Sequence, residues 1–397
     1  MLSVADAIAL VIADIAVLPA ESVPLAGAHG RVLAADVAAK LTQPPFPASA
    51  MDGYAVRLAD LAVLPATLEV IGASAAGHAF AGELGPREAV RIFTGAPVPA
   101  GADYVVIQEN VEASGSEARI REVNAESFIR ARGVDFSEGE VLLRASRRLT
   151  ARDLLLAAQM NHPALAVRRR PRVAVLASGD ELVPPGGEPA PSQIISSIPS
   201  ALAAMLRSAG ADPILLGIAR DTPASLAEHI AAAEGADILV TIGGASVGDH
   251  DLVRKALEDA GFIIGFHKVA MRPGKPFMSG RRGGQRVLGL PGNPVSALIC
   301  SIIFLLPLVA ALLGEDRPPM SLMRIALASP LPANGPREHY MRARIVDMGG
   351  GRAVAPLPSQ DSALTAALAA ADCLIVRLPN APPAPAGEAV AVIPLNA

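Results

Sequence analysis

The chain has 397 residues, with 34 Lys and Arg against 38 Asp and Glu and a formal net charge of −4. This length predicts roughly two to four domains, and it allows a large core without help from a metal or a disulfide. The lack of a basic excess argues against nucleic acid as a partner. The only two cysteines, Cys300 and Cys373, lie in apolar runs. They exclude a disulfide framework or a zinc site and favour a reducing, cytoplasmic compartment.

The first eighteen residues predict an amphipathic helix, because their apolar positions repeat at helical spacing. Asp6 and Asp14 interrupt this stretch and no basic residues precede it, so it is a poor signal peptide. Residues 45–137, rich in Gly, Pro and short Val/Ile runs, predict a β-rich domain.

Residues 171–315 alternate between apolar strands and helical stretches. The strands are predicted at Val173–Ala177, Ile214–Ile218, Ile238–Ile242, Ile263–Phe266 and Val287–Leu290, and the helices at about 200–209, 223–235, 252–260 and 294–306. Such alternation predicts a mostly parallel sheet covered on both faces, a three-layer α/β/α domain. Short strands and Pro-rich turns in 318–397 predict a small C-terminal β-barrel-like domain. The fold class is therefore a multidomain α/β protein.

The uncharged run from Val287 to Gly314 is long enough to span a bilayer. Pro291, Pro294 and Pro307 are expected to break it into pieces shorter than the ~20 residues that a span needs. We therefore predict a buried strand, turn and helix at this position, and no membrane span.

Three loops of the α/β domain follow strands and are rich in small residues: 177–182, 241–251 and 291–296. Ligands of parallel α/β sheets bind at the carboxyl ends of the strands. Small residues let a ligand approach backbone N–H groups, although such turns also serve close packing. Three of them at one sheet edge predict a site for an anionic ligand. Neither a P-loop nor a dinucleotide-binding pattern is present.

Acidic residues stand at the tips of these loops. Glu181, Asp221 and Asp251 predict a site for a hard cation such as Mg²⁺, because several acids on one rim repel each other without one. The alternative is helix capping, which we favour for Asp249. Lys268, Arg272 and Lys275 surround a turn after a strand and suit an oxyanion or a phosphate. A solvated charged turn is the alternative for them.

Six motifs occur together in one order: Met-Asp-Gly-Tyr-Ala at 51–55, Thr-Gly-Ala-Pro-Val-Pro at 94–99, Ser-Gly-Asp-Glu-Leu at 178–182, Gly-Gly-Ala-Ser-Val-Gly at 243–248, Arg-Pro-Gly-Lys-Pro at 272–276 and Pro-Gly-Asn-Pro-Val-Ser at 291–296. With them the chain resembles the molybdopterin molybdenumtransferase family, which includes the bacterial MoeA proteins and the E domain of gephyrin. The resemblance spans the chain, is strongest over 45–300 and is weakest after 318. There it keeps only fragments such as Arg337-Glu338 and Ser359-Gln360.

The resemblance implies a homodimer whose subunits share the active site, with residues 1–44 and 138–170 forming a linker and dimerisation domain. It implies a reaction in which adenylylated molybdopterin and molybdate, with Mg²⁺, yield molybdenum cofactor and AMP. The implied catalytic residues are Asp52, Thr94, Glu181, Asp221, Asp251, Lys268 and Lys275, with Glu181, Asp221 and Asp251 around the metal. Asp52 and Thr94 would reach the cleft from the second subunit. The implied substrate-binding residues are Asp135, Ser178, Gly179, Asp180, Gly243, Gly244, Ser246, Gly248, Arg272, Pro291, Gly292, Asn293, Pro294 and Ser296.

One departure from the family pattern bears on activity. Ser196-Ser197-Ile198 stands where the family usually has Asn/Asp-Ser-Asn. Two other interpretations therefore stay open: a pterin-binding scaffold with weak catalysis, and a paralogue that uses tungstate. The sequence does not give the rate, the downstream molybdoenzyme or whether a molybdopterin adenylyltransferase docks here.

Overall fold

The computed structural model describes residues 1–243, 252–316 and 322–395. Its first part holds two helices and twelve strands. They are α1 (Val4–Ile12), β1 (Ala20–Pro24), β2 (Val37–Ala38), β3 (Ala48–Ser49), β4 (Gly53–Val56), β5 (Ala66–Ser74), β6 (Glu88–Ile92), β7 (Tyr104–Ile107), β8 (Val111–Ser114), β9 (Glu117–Ile120), β10 (Ile129–Arg130), β11 (Val141–Leu143), α2 (Ala151–Gln159) and β12 (Ala164–Arg168). Short 3₁₀ turns lie at Leu25–Gly27, Leu58–Leu61 and Gln108–Asn110.

Two groups of strands organise this part. Strands β4 to β9, in the order β7-β4-β6-β5-β9-β8, form a six-stranded sheet, and β3 pairs with β10. The antiparallel pairs β1–β12 and β2–β11 join the stretches before and after that sheet. They share a core with α2, which begins at a capping box formed by Thr150 and Asp153. Helix α1 instead buries Val4, Ala7 and Val11 against the helices of the next region.

The second part contains β13 (Arg172–Ser178), β14 (Leu182–Val183), β15 (Ile194–Ile195), α3 (Ile198–Ser208), β16 (Asp212–Ala219), α4 (Pro223–Ala232), β17 (Ile238–Ile242), α5 (Leu252–Asp259), β18 (Ile263–Phe266), β19 (Met271–Arg272), β20 (Met278–Arg282), β21 (Gln285–Leu290), α6 (Pro294–Cys300) and α7 (Leu306–Leu313). The sheet order is β16-β13-β17-β21-β20-β18. The first four strands are parallel, and β20 is antiparallel to both of its neighbours.

Apolar clusters cover both faces of this sheet. One includes residues of α1, α3, α6 and α7, and the other includes residues of α4 and α5. The prediction of a three-layer α/β/α domain with a mostly parallel sheet is confirmed. Strand β20 was not predicted, because Ser279, Gly280 and two arginines dilute its apolar pattern.

The expectation that Pro307 breaks the apolar run was wrong. A π-helical turn at Ser301–Leu305 joins α6 to α7, so that helix runs for 20 residues from Pro294 to Leu313. The wider turn accommodates the proline, which lacks an N–H and would otherwise crowd the preceding turn. Within the described residues this is the one helix long and apolar enough to cross a membrane, and 83% of its most apolar window is buried inside the protein.

The last part contains β22 (Met323–Leu327), β23 (Glu338–Asp347), β24 (Arg352–Pro356), α8 (Thr365–Ala369), β25 (Cys373–Arg377) and β26 (Ala389–Pro394). Strands β22 to β26 close on themselves, because β23 pairs with both β24 and β25. The barrel encloses a core that includes Leu327, Val354 and Ile375, and the predicted C-terminal barrel is confirmed. The short β19 of the preceding part adds to it beside β23.

Candidate active site

Three predicted loops begin at the carboxyl edge of the α/β sheet. They follow β13, β17 and β21, which lie side by side. A Cβ atom on Gly243, whose φ is +90°, would stand only 2.7 Å from the Ser178 carbonyl oxygen. One on Gly292 would stand 3.7 Å from the Gly243 Cα. Glycine is therefore required at Gly243 for the first two loops to approach each other. The predicted residues Gly244, Ser246, Gly248 and Asp251, and Asp249, lie outside the described residues.

Two buried hydroxyl groups lie at the ends of the central strands. Ser178 is 4% exposed and Thr241 is 1% exposed. Neither hydroxyl has a hydrogen-bond partner within the described part of the chain. An unpaired buried polar group costs on the order of 1–3 kcal/mol, so both are suited to a polar ligand at this edge. Ser178 was predicted to bind substrate, whereas Thr241 was not. Its only signal is a hydroxyl in an otherwise apolar strand.

Asp180, Glu181 and Asp221 form what we call the acidic rim, at the tips of the loops that follow β13 and β16. All three residues are exposed. The Asp221 N–H lies 3.4 Å from Oδ1 of Asp180, and Arg220 Nη1 lies 4.0 Å from the same oxygen. The Glu181 carboxylate covers Gly179 closely enough that a Cβ there would collide with it.

Helix capping does not explain the acidic rim. Thr222, not Asp221, caps α4 by accepting from the Ser225 N–H at 3.3 Å. Glu181 is followed by strand β14 and not by a helix. Across residues 1–243, 252–316 and 322–395, no three His, Cys, Asp or Glu side chains form a group that could hold a metal ion. With Asp251 outside those ranges, the metal set of Glu181, Asp221 and Asp251 stays a prediction.

A cavity of about 370 Å³ lies between the α/β domain and the barrel, and we call it the basic cavity. Its lining residues are Arg272, Pro273, Gly274, Lys275, Pro276, Pro291, Asn293, Ser296, Arg337, Gln360, Asp361 and Ser362. Three are cationic (Arg272, Lys275 and Arg337) and one is acidic (Asp361). The structure thus brings the predicted Arg272 and Lys275 together with Pro291, Asn293 and Ser296. Lys268, Gly292 and Pro294 do not line the cavity.

The sequence did not predict that residues of the barrel form one wall of the basic cavity. Arg337 and Gln360 stood there only as fragments of the family pattern, and Asp361 and Ser362 were not singled out. Several contacts join the barrel to the α/β domain at this wall. Asn293 Nδ2 donates to Ser362 Oγ at 3.1 Å, and Arg272 in β19 pairs with His339 in β23.

His339, the strand partner of the cavity residue Arg272, is 8% exposed. Burial, followed by the positive charges of Arg272, Arg337 and Arg342, lowers its pKa to about 4. The imidazole is therefore neutral near pH 7 and adds no further positive charge to the cavity.

Asp52 and Thr94 form a second, separate pair in the β-rich sheet. One Asp52 carboxylate oxygen accepts from the Thr94 N–H at 2.7 Å and from its hydroxyl at 2.8 Å. These bonds, the backbone one first, lower the pKa of Asp52. Nearby, the Arg91 guanidinium lies over the rings of Tyr54 and Phe93, at 5.0 and 4.9 Å from their centroids.

This pair and Asp135 are not brought to the α/β loops within one chain. In the described ranges no hydrogen bond or ion pair links Asp52 or Thr94 to the acidic rim or the basic cavity. The exposed carboxylate of Asp135 accepts from Nε2 of Gln159, the last residue of α2, at 3.5 Å.

The unusual segment 196–198 lies at the start of α3. The Ser196 N–H donates to the Val183 carbonyl at 2.8 Å, and Ser196 is buried. Ser197 precedes the helix, but its hydroxyl makes no capping hydrogen bond. The first turn of α3 therefore lacks a side-chain cap.

Three family models match the chain in succession. They are the MoeA N-terminal region (domain I and II) at residues 2–160, a probable molybdopterin binding domain at 174–311, and the MoeA C-terminal region (domain IV) at 324–395. A molybdopterin molybdenumtransferase from Haemophilus influenzae is 35% identical over 95% of this chain and 94% of its own length. One from a Nostoc species is 38% identical over 81% of this chain and 76% of its own length.

Solved structures agree with the sequence relatives. The crystal structure of a molybdopterin biosynthesis MoeA protein from Pyrococcus horikoshii superposes with a TM-score of 0.84 and 29% identity, covering all of both chains. The resemblance drawn from the six motifs is confirmed.

Proposed function

The chain belongs to the molybdopterin molybdenumtransferase family, and on that premise we propose how its residues insert molybdenum into molybdopterin. As a member it is a transferase of molybdenum cofactor biosynthesis. The substrates we propose are adenylylated molybdopterin and molybdate, and the products are molybdenum cofactor and AMP. We place the reaction in the cytoplasm.

The observation that carries this proposal is the basic cavity. Arg272, Lys275 and Arg337 outnumber the single Asp361, so the cavity favours an oxyanion. The hydroxyls of Ser296 and Ser362 and the side-chain amides of Asn293 and Gln360 add uncharged polar groups to its walls. A tetrahedral dianion such as molybdate needs both kinds of contact. We assign this cavity to molybdate, and Lys268, outside it, to the phosphate side of the pterin substrate.

We assign the pterin substrate to the carboxyl edge of the sheet. Gly292 leaves space for a ligand beside the backbone, and the hydroxyls of Ser178 and Thr241, which have no partner among the described residues, offer hydrogen bonds. The loop at Pro291–Ser296 contributes to both this edge and the basic cavity. Substrate bound at the edge would therefore lie beside the oxyanion.

The acidic rim suits a hard divalent cation. Carboxylate oxygens are the ligands that Mg²⁺ prefers, and Glu181 and Asp221 are exposed on adjacent loops, so the donors fit. We propose Glu181, Asp221 and Asp251 as its ligands. Bound there, Mg²⁺ would neutralise charge on the phosphates during cleavage of the adenylyl group. The residues of the chain position the phosphates and the oxyanion, and no side-chain nucleophile is required.

A second subunit would complete the site. Asp52 is held ionised by Thr94 and remains partly exposed, yet no described contact joins it to the α/β loops of its own chain. We propose that this pair reaches the cleft of the partner in a homodimer.

The experiment measures AMP release from adenylylated molybdopterin with Mg²⁺, with and without molybdate. We expect molybdate to stimulate release in the wild type, and Lys275→Met to raise the molybdate KM about thirtyfold, since one charge-assisted contact is worth ~2 kcal/mol. Lys255→Met, on the exposed side of α5, is the matched control and should leave KM unchanged.

The other outcomes separate the alternatives. Tight pterin binding without AMP release would favour a scaffold and point to segment 196–198. Stimulation by tungstate but not by molybdate would favour the tungstate paralogue. Equal KM values for Lys275→Met and the wild type would contradict the assignment of the basic cavity.

A further inference from the structure

Arg342 is an arginine that the proposed mechanism does not use. It lies in β23 on the strand face of Tyr340, away from the barrel core, and pairs with Leu374 of the cluster shared with the α/β domain. It is 1% exposed, and it is the largest fully buried side chain among the described residues. It does not line the basic cavity. An arginine is rarely buried so completely unless its charge and its N–H groups are engaged.

Its partners are backbone carbonyls of one loop. Nη1 donates to the carbonyl oxygens of Asp361 at 2.9 Å and Leu364 at 3.4 Å, and Nη2 donates to that of Ser359 at 3.3 Å. No carboxylate forms an ion pair with this guanidinium within the described residues. The positive charge is therefore balanced by peptide dipoles. The guanidinium fixes three backbone carbonyl groups of this loop.

A second set of bonds fixes the same loop from the main chain of Arg342. Its N–H donates to Gln360 Oε1 at 2.9 Å, and its carbonyl accepts from Gln360 Nε2 at 3.0 Å and from the Leu357 N–H at 2.9 Å. The Gln360 side chain thus continues the pairing of β23 beyond the end of β24.

The loop held in this way forms the barrel wall of the basic cavity, with Gln360, Asp361 and Ser362. We propose that Arg342 is a positioning residue for oxyanion binding, which sets this wall against Arg272 and Lys275 without touching the ligand. The inference rests on the proposed assignment of the cavity to molybdate. Misplacement of a binding wall by about 1 Å is enough to weaken a site strongly.

The test compares two buried arginines of the same barrel. Arg377 is 6% exposed and also bonds carbonyls, those of Pro332 and Pro382, but neither of these residues lines the cavity. We would make Arg342→Lys and Arg377→Lys, because lysine keeps the charge but cannot reproduce the planar fork. For each full-length variant we would measure the thermal midpoint, direct molybdate binding, and KM and kcat for AMP release.

We expect Arg342→Lys to raise the molybdate Kd and KM about tenfold with kcat within about twofold, and Arg377→Lys to lower the thermal midpoint only. Faster amide hydrogen exchange over 357–364 in Arg342→Lys would support the same conclusion. If Arg342→Lys does not fold, Arg342→Gln, which keeps an N–H donor towards the same carbonyls and lines no part of the cavity, replaces it in the same measurements. Unchanged molybdate binding in a folded variant would overturn this inference alone. A wild type that binds no molybdate would overturn the proposed function and this inference together.

Discussion

The acidic rim and the basic cavity serve the same proposed reaction, yet they are built differently. Rim side chains are exposed, and their described contacts are one backbone N–H and one distant arginine. Cavity side chains come from two domains, and their barrel wall is fixed by a buried arginine and a glutamine. The comparison shows that the side chains of one charged site can be left open to a ligand, while at the other site one wall is fixed by buried hydrogen bonds.

The difference follows from what each site has to bind. A hard cation and its waters tolerate a range of carboxylate positions, because its ligand shell includes solvent. A small oxyanion is recognised by several donors at once, so those donors have to be fixed before it arrives. Three predictions test this contrast, from the largest expected effect to the smallest.

The largest effect should come from Glu181→Gln, which keeps the shape of the rim but removes a charge. We expect kcat for AMP release to fall by about two to three orders of magnitude, because the charge acts on the transition state. The molybdate Kd should stay within twofold. Kinetics and equilibrium binding measure the two effects. Glu188→Gln, an exposed acid of the same segment, is the control. A rise in the molybdate Kd would mean that the two sites are not independent.

The second prediction concerns how the stability of the barrel beside the basic cavity depends on pH. The pKa of His339 is lowered from its usual 6.5 to about 4 by burial and by Arg272, Arg337 and Arg342. A group whose pKa is lower in the folded chain binds fewer protons there, so its contribution is present above about pH 6.5 and is lost as the pH falls towards 4. The loss amounts to about 3 kcal/mol.

Urea unfolding between pH 4 and 8, monitored in the barrel, measures this dependence. The variant His339→Gln should show a flatter profile over the same window. An identical profile in the variant and the wild type would show that other groups set the acid sensitivity of the barrel, and that His339 is not held neutral by the cavity cations.

The smallest effect should come from Thr94→Val, in the Asp52–Thr94 pair. The backbone N–H still bonds Asp52, so only the hydroxyl bond is lost. We expect the pKa of Asp52 to rise and the acid limb of the kcat profile to move to higher pH, with kcat reduced about fivefold. Thr67→Val, in the same sheet, is the control. An acid limb of the kcat profile at unchanged pH would show that Asp52 is not the group whose titration causes that limb.

The sequence predicted the α/β sheet well because each parallel strand is an apolar run between loops with small residues. It also placed Arg272 and Lys275 in a binding turn, and the structure puts both in the cavity. It missed the opposite wall for a physical reason. Arg337 and Ser362 become neighbours of Arg272 only through tertiary contacts between domains. Their local sequence, Pro-rich and weakly patterned, gives no sign of which side chains will face a ligand.

The continuous helix from α6 to α7 shows a different limit of prediction from local sequence. The prolines at 294 and 307 are correct signals for a helix start and an irregularity. Local rules did not reveal that a single π-turn would absorb the second proline and keep the helix continuous. Tight packing on several sides, with Phe304 stacked on Phe277 at 4.2 Å, favours the continuous helix over a break.

Strand β19 has a consequence for protein synthesis. Arg272 belongs to a motif that is synthesised well before its strand partner in β23. A nascent or prematurely terminated chain that ends before β23 carries Arg272 and Lys275 without the opposite wall. On our assignment such a fragment lacks one wall of the molybdate site, so the oxyanion would bind only to subunits that already include β23.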